Sequence, residues 1–314
     1  MAHLVQTMAY QGQTPWHGLG NQLTEKQPLE VWLREAGMDW QIESSPVHYL
    51  TANSANLYPD AKVLYRSDTG DALSVVSNRY QEVQPREVLE FYRDLVELGG
   101  FELETAGVLK GGRKLWALAR TGEETLLKGN DLVQGYLLLA TACDGTLATT
   151  AQFTSVRVVC NNTLQLATAE SNGAIKVPHS TKFDADKVKQ QLGIGVNHWQ
   201  RFIHDIRKLA DRPVHPFEAR RFFVEVLGDP ELPFHRQPNL KVLNHVFGLY
   251  AGEGMGSRLP AANDTAWGML NAVTQYVDHS RRARSADNRL DSAWFGIGAA
   301  IKQKALDEAL LLSA

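Results

Sequence analysis

The hydrophobic period of this 314-residue chain changes near residues 170–182, and that change narrows the folds open to it. Before it, apolar residues fall in short, β-branched or alternating runs: WQIESSPVHYLT, AKVLYRS, ALSVVSN and RKLWALARTG. Asn, Gly, Asp and Pro divide these runs, the pattern of half-buried strands joined by tight turns. After it, apolar residues recur at helical spacing, as in Val188, Leu192, Val196, Trp199, Phe202, Ile203 and Ile206. The expected class is α+β: an N-terminal antiparallel β-hairpin sheet with packed helices, followed by a mainly helical C-terminal half. Four segments result: an N-terminal arm (1–27), a sheet domain (28–169), a linker or mobile loop (170–182), and a helical region packing on the sheet domain (183–314).

Turn chemistry places the individual elements. Asp68-Thr69-Gly70-Asp71, Lys110-Gly111-Gly112-Arg113-Lys114 and Asp144-Gly145 each read as a hairpin connection. Helices are predicted over residues 28–36, closed by Gly37, and 85–98, opened by Pro85 and closed by Gly99-Gly100. Others are predicted over 184–210, 216–227, 240–249 and 291–312, the last with Gly296 and Gly298 allowing close packing. Asn162 reads as the cap of a short helix starting at Thr163, with Gln165 completing a capping box.

Residues 266–289, AWGMLNAVTQYVDHSRRARSADNR, form the most specific stretch. Trp267, Leu270, Val273 and Val277 make a core-facing stripe, while Asn271, Thr274, Gln275 and Asp278 lie on its polar flank. His279 follows, then Arg281, Arg282 and Arg284. A polar row running into cations suits an anionic polymer as ligand, although a solvated helix face gives the same pattern.

Composition limits the chemistry. With 44% hydrophobic residues there is ample core, and a net charge of −3 opposes a wholly basic coat while permitting a local basic groove. Two cysteines, Cys143 and Cys160, cannot build a disulfide framework or a cysteine-rich zinc site and read as buried thiols. No signal peptide is expected at the N-terminus, which lacks a charged leader followed by an apolar run, and no run reaches the roughly 18 apolar residues of a membrane span. The expected location is therefore the cytoplasm. Fingerprints for metal ligation, nucleotide binding, serine hydrolysis and protein kinases are missing, so no cofactor or metal is expected. Asp278 and His279 are the catalytic candidates, as a carboxylate–imidazole pair or as an ordinary polar contact.

Cations are concentrated in two places. Residues 201–221 hold Arg201, Arg207, Lys208, Arg212, Arg220 and Arg221 against three acids, and residues 278–304 hold six cations against three. The glycine turn at Lys110, Arg113 and Lys114 lacks the spacing of a nucleotide-binding loop, and reads as a solvated tip or a contact to a polynucleotide backbone. Arg157, in a strand next to Asn161 and Asn162, either offers directional donors to a phosphate or base or stands on the outer face of the sheet. In PWHGLG, Trp16 and His17 either tie down the arm or form a stacking and polar contact.

The motifs PWHGLG (15–20), RVVCNNTL (157–164) and WGMLNAVTQYVDH (267–279), with Phe295-Gly296 and Lys302, resemble the phage/plasmid-like protein family, the domain of unknown function numbered 932. That family often carries an acid where this chain has Gln275. The resemblance implies a phage, prophage or plasmid context, hence a host-cell cytoplasm, and brings no established activity.

The leading expectation is a single-stranded DNA-binding, strand-annealing accessory of recombination or replication that self-associates and contacts no membrane. Lys110, Arg113, Lys114, Arg157, Arg281, Arg282 and Arg284 would neutralise phosphates, with Asn161, Asn162 and Asn271 as hydrogen-bonding groups. The alternatives are a non-enzymatic host-interaction or anti-defence protein and a metal-dependent nuclease using Asp278 and His279.

Overall fold

A computed structural model describes residues 5–12, 20–97, 99–157, 159, 162–165, 174–193 and 196–313. Strands β1 (Val5–Gln11) and β2 (Asn21–Leu23) precede helix α1 (Leu29–Glu35). A meander of β3 (Ile42–Leu50), β4 (Ala55–Arg66) and β5 (Ala72–Ser77) leads to helices α2 (Pro85–Glu90) and α3 (Arg93–Glu97). Five strands follow: β6 (Glu102–Leu109), β7 (Lys114–Leu127), β8 (Asp131–Ala142), β9 (Thr149–Arg157) and β10 (Asn162–Gln165), with β11 (Ala174–Val177) after them. The remaining elements are helical: α4 (Ala185–Gly193), α5 (Val196–Asp211), α6 (Pro216–Leu227), α7 (Leu240–Gly248), α8 (Ala266–Gln275), α9 (Ala286–Phe295) and α10 (Ile297–Leu311). The mixed α+β class, strand-rich at the N-terminus and helical toward the C-terminus, is as expected.

The chain forms two compact units, each assembled from separate segments. The first comprises Met1–Gly122, Tyr136–Phe153 and Ala174–Ile194; the second comprises Glu123–Gly135, Thr154–Gly173 and Gly195–Ala314.

In the first unit β6 pairs antiparallel with both β1 and β7, β11 pairs antiparallel with β9, and β1 and β2 are parallel. A separate antiparallel sheet has the order β3-β4-β5. Trp32, Leu33, Met38, Leu64, Leu89, Phe91, Tyr92, Leu115, Leu137 and Leu139 are buried in one apolar core. Tyr92 anchors it, with its hydroxyl 2.8 Å from the Ala117 carbonyl oxygen and 3.0 Å from that of Leu137. The helix expected over 85–98 tightens at this residue, where the Tyr92 amide bonds to Leu89 three positions back, and so divides into α2 and α3. The β6–β7 turn runs through three left-handed residues, Lys110, Gly111 and Gly112, with φ of 54°, 72° and 104°. A Cβ on Gly112 would meet Trp40 and Leu73 at 3.1–3.2 Å, so the turn demands glycine there.

In the second unit α8 packs against α5, α10 and β10. Trp199, Phe202, Ile206, Phe223, Leu243, Val246, Trp267, Leu270, Val273 and Val277 are buried. The Pro216 start and Gly228 end of α6 lie where turn chemistry puts them. Gly298 permits the expected close approach, since a Cβ there would lie 2.7 Å from the Ser292 carbonyl oxygen and 2.9 Å from Val277.

Four expectations need correction. Asn162 opens no helix: residues 162–165 are the strand β10, in register with Arg157, Val156, Ser155 and Thr154. The polar connection over 170–182 contains a strand, because Ala174–Val177 completes hydrogen bonds along β9. The pattern over 184–210 is two helices, α4 and α5, and residues 194–195 lie outside the described ones. The helix expected over 291–312 breaks at Gly296 (φ −118°, ψ −148°), where the Ser292 hydroxyl caps the next turn by accepting from the Gly298 amide.

Candidate functional site

All ten residues of α8 are buried, polar ones included. Asn271, Thr274 and Gln275, expected on a polar flank, therefore face protein, and buried polar groups need partners inside it. The helix starts at Thr265, whose hydroxyl accepts from the Gly268 amide at 3.1 Å and donates to the Ala261 carbonyl at 2.7 Å. Asn271 Nδ2 donates back to the Trp267 carbonyl at 2.8 Å, and the Thr274 hydroxyl donates to the Asn271 carbonyl at 3.0 Å. Gln275 Oε1 accepts from the Met255 amide at 3.0 Å. The helix then widens into a π-helical turn, Tyr276–Ser280, closed by the Arg281 amide on the Tyr276 carbonyl. Such widened turns are frequent at functional sites.

Two buried ion pairs flank the helix. Arg157 Nε lies 2.8 and 2.9 Å from the two oxygens of Asp131, with the side chains 2% and 0% exposed. Trp267 Nε1 donates to the same carboxylate at 2.9 Å. Arg157 Nη2 donates to the Gly256 carbonyl at 2.9 Å. Gly256 has φ of 65°, and a Cβ on it would lie 2.6 Å from Val159 and 3.0 Å from Arg157 Nη2, so only glycine brings its carbonyl this close. The second pair joins Lys302 Nζ to Asp278 Oδ1 at 2.8 Å, at 3% and 4% exposure. Asp278 Oδ2 accepts from the Thr163 amide at 2.8 Å and lies 3.2 Å from the Thr163 hydroxyl, which is 2.7 Å from Lys302 Nζ. Removing two such pairs from water is costly, and their mutual attraction offsets the cost only together with the added hydrogen bonds.

Asn162 connects β10 to the helix. Its Nδ2 donates to the Asn271 carbonyl at 3.2 Å, so its Oδ1 is the acceptor for His279 Nε2 at 3.1 Å. That assignment gives His279 the tautomer protonated at Nε2, or its cation.

The structure thus gathers Arg157, Asn162, Asn271, Asp278 and His279 into one network within the second unit. Asp278 and His279 make separate bonds in it, to Lys302 and Thr163 and to Asn162. Arg281 is half-buried and donates to the Ser292 hydroxyl at 3.0 Å, whereas Arg282 and Arg284 are exposed. Lys110, Arg113 and Lys114 lie in the first unit, half-buried, exposed and buried respectively. Asn161, Cys160, Trp16 and His17 lie outside the described residues.

Sequence reasoning missed Asp131 and Thr163, and met Lys302 only as one of the six cations over 278–304 and through the family resemblance. Asp131 carried a signal, being the one charged residue of the otherwise apolar or neutral β8. Among the described residues no three His, Cys, Asp or Glu side chains gather as a metal site requires. Among them, too, no helix is long and apolar enough to cross a membrane.

Chemically the network is a scaffold. Lys302 is committed to a carboxylate and so is a donor rather than a base, and Asp278 is already held by three donors. What the network fixes is the path of the chain from α8 through the π turn to the arginines.

A family model described as Domain of unknown function (DUF932) matches residues 72–294. That span holds every network residue named above except Lys302. No curated protein and no solved structure matches the chain. Because the family match covers more than half of its length, the chain belongs to the DUF932 family.

Proposed function

We propose that the chain binds single-stranded DNA through the cationic loop that follows α8, as an annealing or recombination accessory of a mobile element. The observation that supports this reading is the placement of Arg282 and Arg284. Both are exposed, on a loop held at its start by the buried Asp278–Lys302 pair and at Arg281 by Ser292. Cations fixed before the ligand arrives lose less conformational freedom on binding than cations on a mobile tail. The second unit has a further basic concavity of about 430 Å³, lined by His204, Arg207, Lys208 and Arg212 together with Asp211. Arg207 and Lys208 are exposed there and offer a second place for phosphates.

Fluorescence anisotropy of a labelled single-stranded oligonucleotide across a salt series tests the proposal. Affinity should fall steeply with salt as counterions are released, and Arg282→Ala/Arg284→Ala should flatten the log–log slope by roughly 1.4, two phosphate contacts' worth. Absence of binding at low salt, or an unchanged slope in the double variant, sinks it.

A further inference from the structure

We propose that the outer part of the β3–β4 hairpin in the first unit is a homotypic interface, through which two copies of the chain pair edge to edge. The hairpin changes character at Pro46. Up to there β3 and β4 run in steady register, ending at Pro46↔Lys62, and the next rung is Val47↔Tyr58. The intervening residues of β4 turn to other partners: Ala61 pairs with Ser77, the last residue of β5, and the Asp60 carbonyl accepts from the Asn78 amide at 3.1 Å. Past this point the sheet loses its third strand. Four rungs, Val47↔Tyr58 to Leu50↔Ala55, continue as a two-stranded arm, closed by the Thr51 amide on the Ser54 carbonyl at 2.8 Å.

Both faces of this arm are wet and both are apolar. Alternation puts Tyr49 and Tyr58 on one face and Leu50 and Leu57 on the other. Their exposures are 52%, 46%, 82% and 56%. A two-stranded ribbon is marginal in water by itself, and nothing in its own fold offsets exposing four large apolar side chains.

The chemistry of the arm selects a second copy as its occupant. β3 is the edge of the three-stranded sheet, so its outer backbone groups can form a ladder. An antiparallel ladder between identical strands is its own mate under a two-fold axis, which pairs residue i with j and j with i and sets the residues nearest the axis beside their own copies. Charged residues in such a place would repel their copies. Residues 47–58, VHYLTANSANLY, contain no Asp, Glu, Lys or Arg. Edges that must stay single are usually blunted with lysine, proline or a bulge, and beyond the irregularity at Pro46 this arm has none of these on β3. A nucleic-acid surface would carry cations, and a charged partner would call for counter-charges. Val47, His48, Tyr49 and Leu50 of each copy would meet across the seam, an uncharged set that adds cross-strand side-chain contacts to the backbone ladder.

Sedimentation velocity and light scattering of the full chain at micromolar concentration, in low and high salt, test the inference. The expected result is a dimer that persists at high salt. Leu50→Lys/Leu57→Lys and, on the other face, Tyr49→Ser/Tyr58→Ser should each raise the dimer dissociation constant at least tenfold. Unchanged far-UV circular dichroism would show that these exposed positions leave the fold intact. A monomeric wild-type chain overturns the inference, as does a dimer that survives both pairs of substitutions. A monomer whose binding to lipid vesicles or single-stranded DNA depends on Leu50 and Leu57 gives the arm another occupant and overturns it equally. The inference is independent of the DNA-binding proposal: Arg282→Ala/Arg284→Ala should leave the dimer intact.

Discussion

Arg157 and Asp131 meet inside the second unit at 2.8 Å, although 26 positions separate them in the chain and neither side chain is more than 2% exposed. The pair is asymmetric in what it tolerates. Asp131→Leu should destabilise the chain by about 3–5 kcal/mol, because the guanidinium would remain buried without its counter-charge. Adding Arg157→Met to that variant should recover most of the loss. Chemical denaturation followed by tryptophan fluorescence measures both, since Trp267 donates to the same carboxylate. If the double variant is as unstable as the single one, the pair does not act as a coupled unit.

Lys302 and Asp278 give the parallel case with a different consequence. Lys302→Met should cost several kcal/mol, about 3 or more, because Asp278 keeps only its contacts to Thr163. The loss should reach function as well, since Asp278 sits in the turn that leads to Arg282 and Arg284. DNA affinity should therefore drop in Lys302→Met at temperatures where circular dichroism still reports a folded chain. Retained affinity with a lowered melting point would limit Lys302 to stability.

How legible the molecule was depends on how local each determinant is. Asp68-Thr69-Gly70-Asp71 and Asp144-Gly145 fix their turns with their own backbone preferences, and Pro216 and Gly228 do the same for α6. These needed no partner. The burial of Asn271, Thr274, Gln275 and Asp278 did, because a helical wheel places polar residues toward water unless the opposing surface supplies acceptors and donors. Here Met255 supplies a donor to Gln275, and Thr163 and Lys302 supply donors to Asp278, all from remote positions, while Asn271 and Thr274 donate to carbonyls of their own helix. Asn162 misled for a related reason. Its residue type caps helices, and the backbone bonds that make it a strand instead come from Arg157 on β9. The motifs over 157–164 and 267–279 marked the right stretches without revealing that they touch.

Gly268 should respond to alanine with the opposite sign from an ordinary helix glycine. Alanine is the better helix former by about 1 kcal/mol. A Cβ on Gly268, however, would lie 1.9 Å from the backbone oxygen of Ala262. Backbone cannot swing away as a side chain can, so Gly268→Ala should lower stability by at least roughly 1–3 kcal/mol, the range of overpacked cores. A melting temperature equal to or above that of the wild type contradicts the close contact.

Cys143 should behave as an inert thiol. Burial, aided by the charge of Asp144, pushes it up to about 12 from an ordinary 9.0. Its Sγ lies 3.5 Å from the carbonyl oxygens of Gly112 and Arg113. At mildly alkaline pH the thiolate fraction is then roughly a thousandfold smaller than for a free cysteine. In a Cys160→Ser background, Ellman's reagent should label Cys143 only as fast as the chain opens, and labelling should accelerate abruptly across the denaturant transition. Fast labelling of the folded chain would show an accessible, activated sulfur.

Glu218 gives the chain a specific response to acid. Its carboxylate accepts from the His215 amide at 3.0 Å and from Arg212 Nη2 at 2.8 Å, at the start of α6. The His215 amide first, and then Arg212, hold it below its ordinary value of 4.5. The folded chain therefore binds fewer protons at this group than the unfolded chain does. Its contribution is fully present above that ordinary value and is lost as pH falls through the depressed folded value. Both side chains are about a third exposed, so solvent screening limits the contribution to about 0.5–1 kcal/mol. Glu218→Gln should be less stable than the wild type by that amount at neutral pH, and the two stability curves should converge in acid. A constant offset between them at every pH would mean that the carboxylate's charge plays no part in holding the helix start.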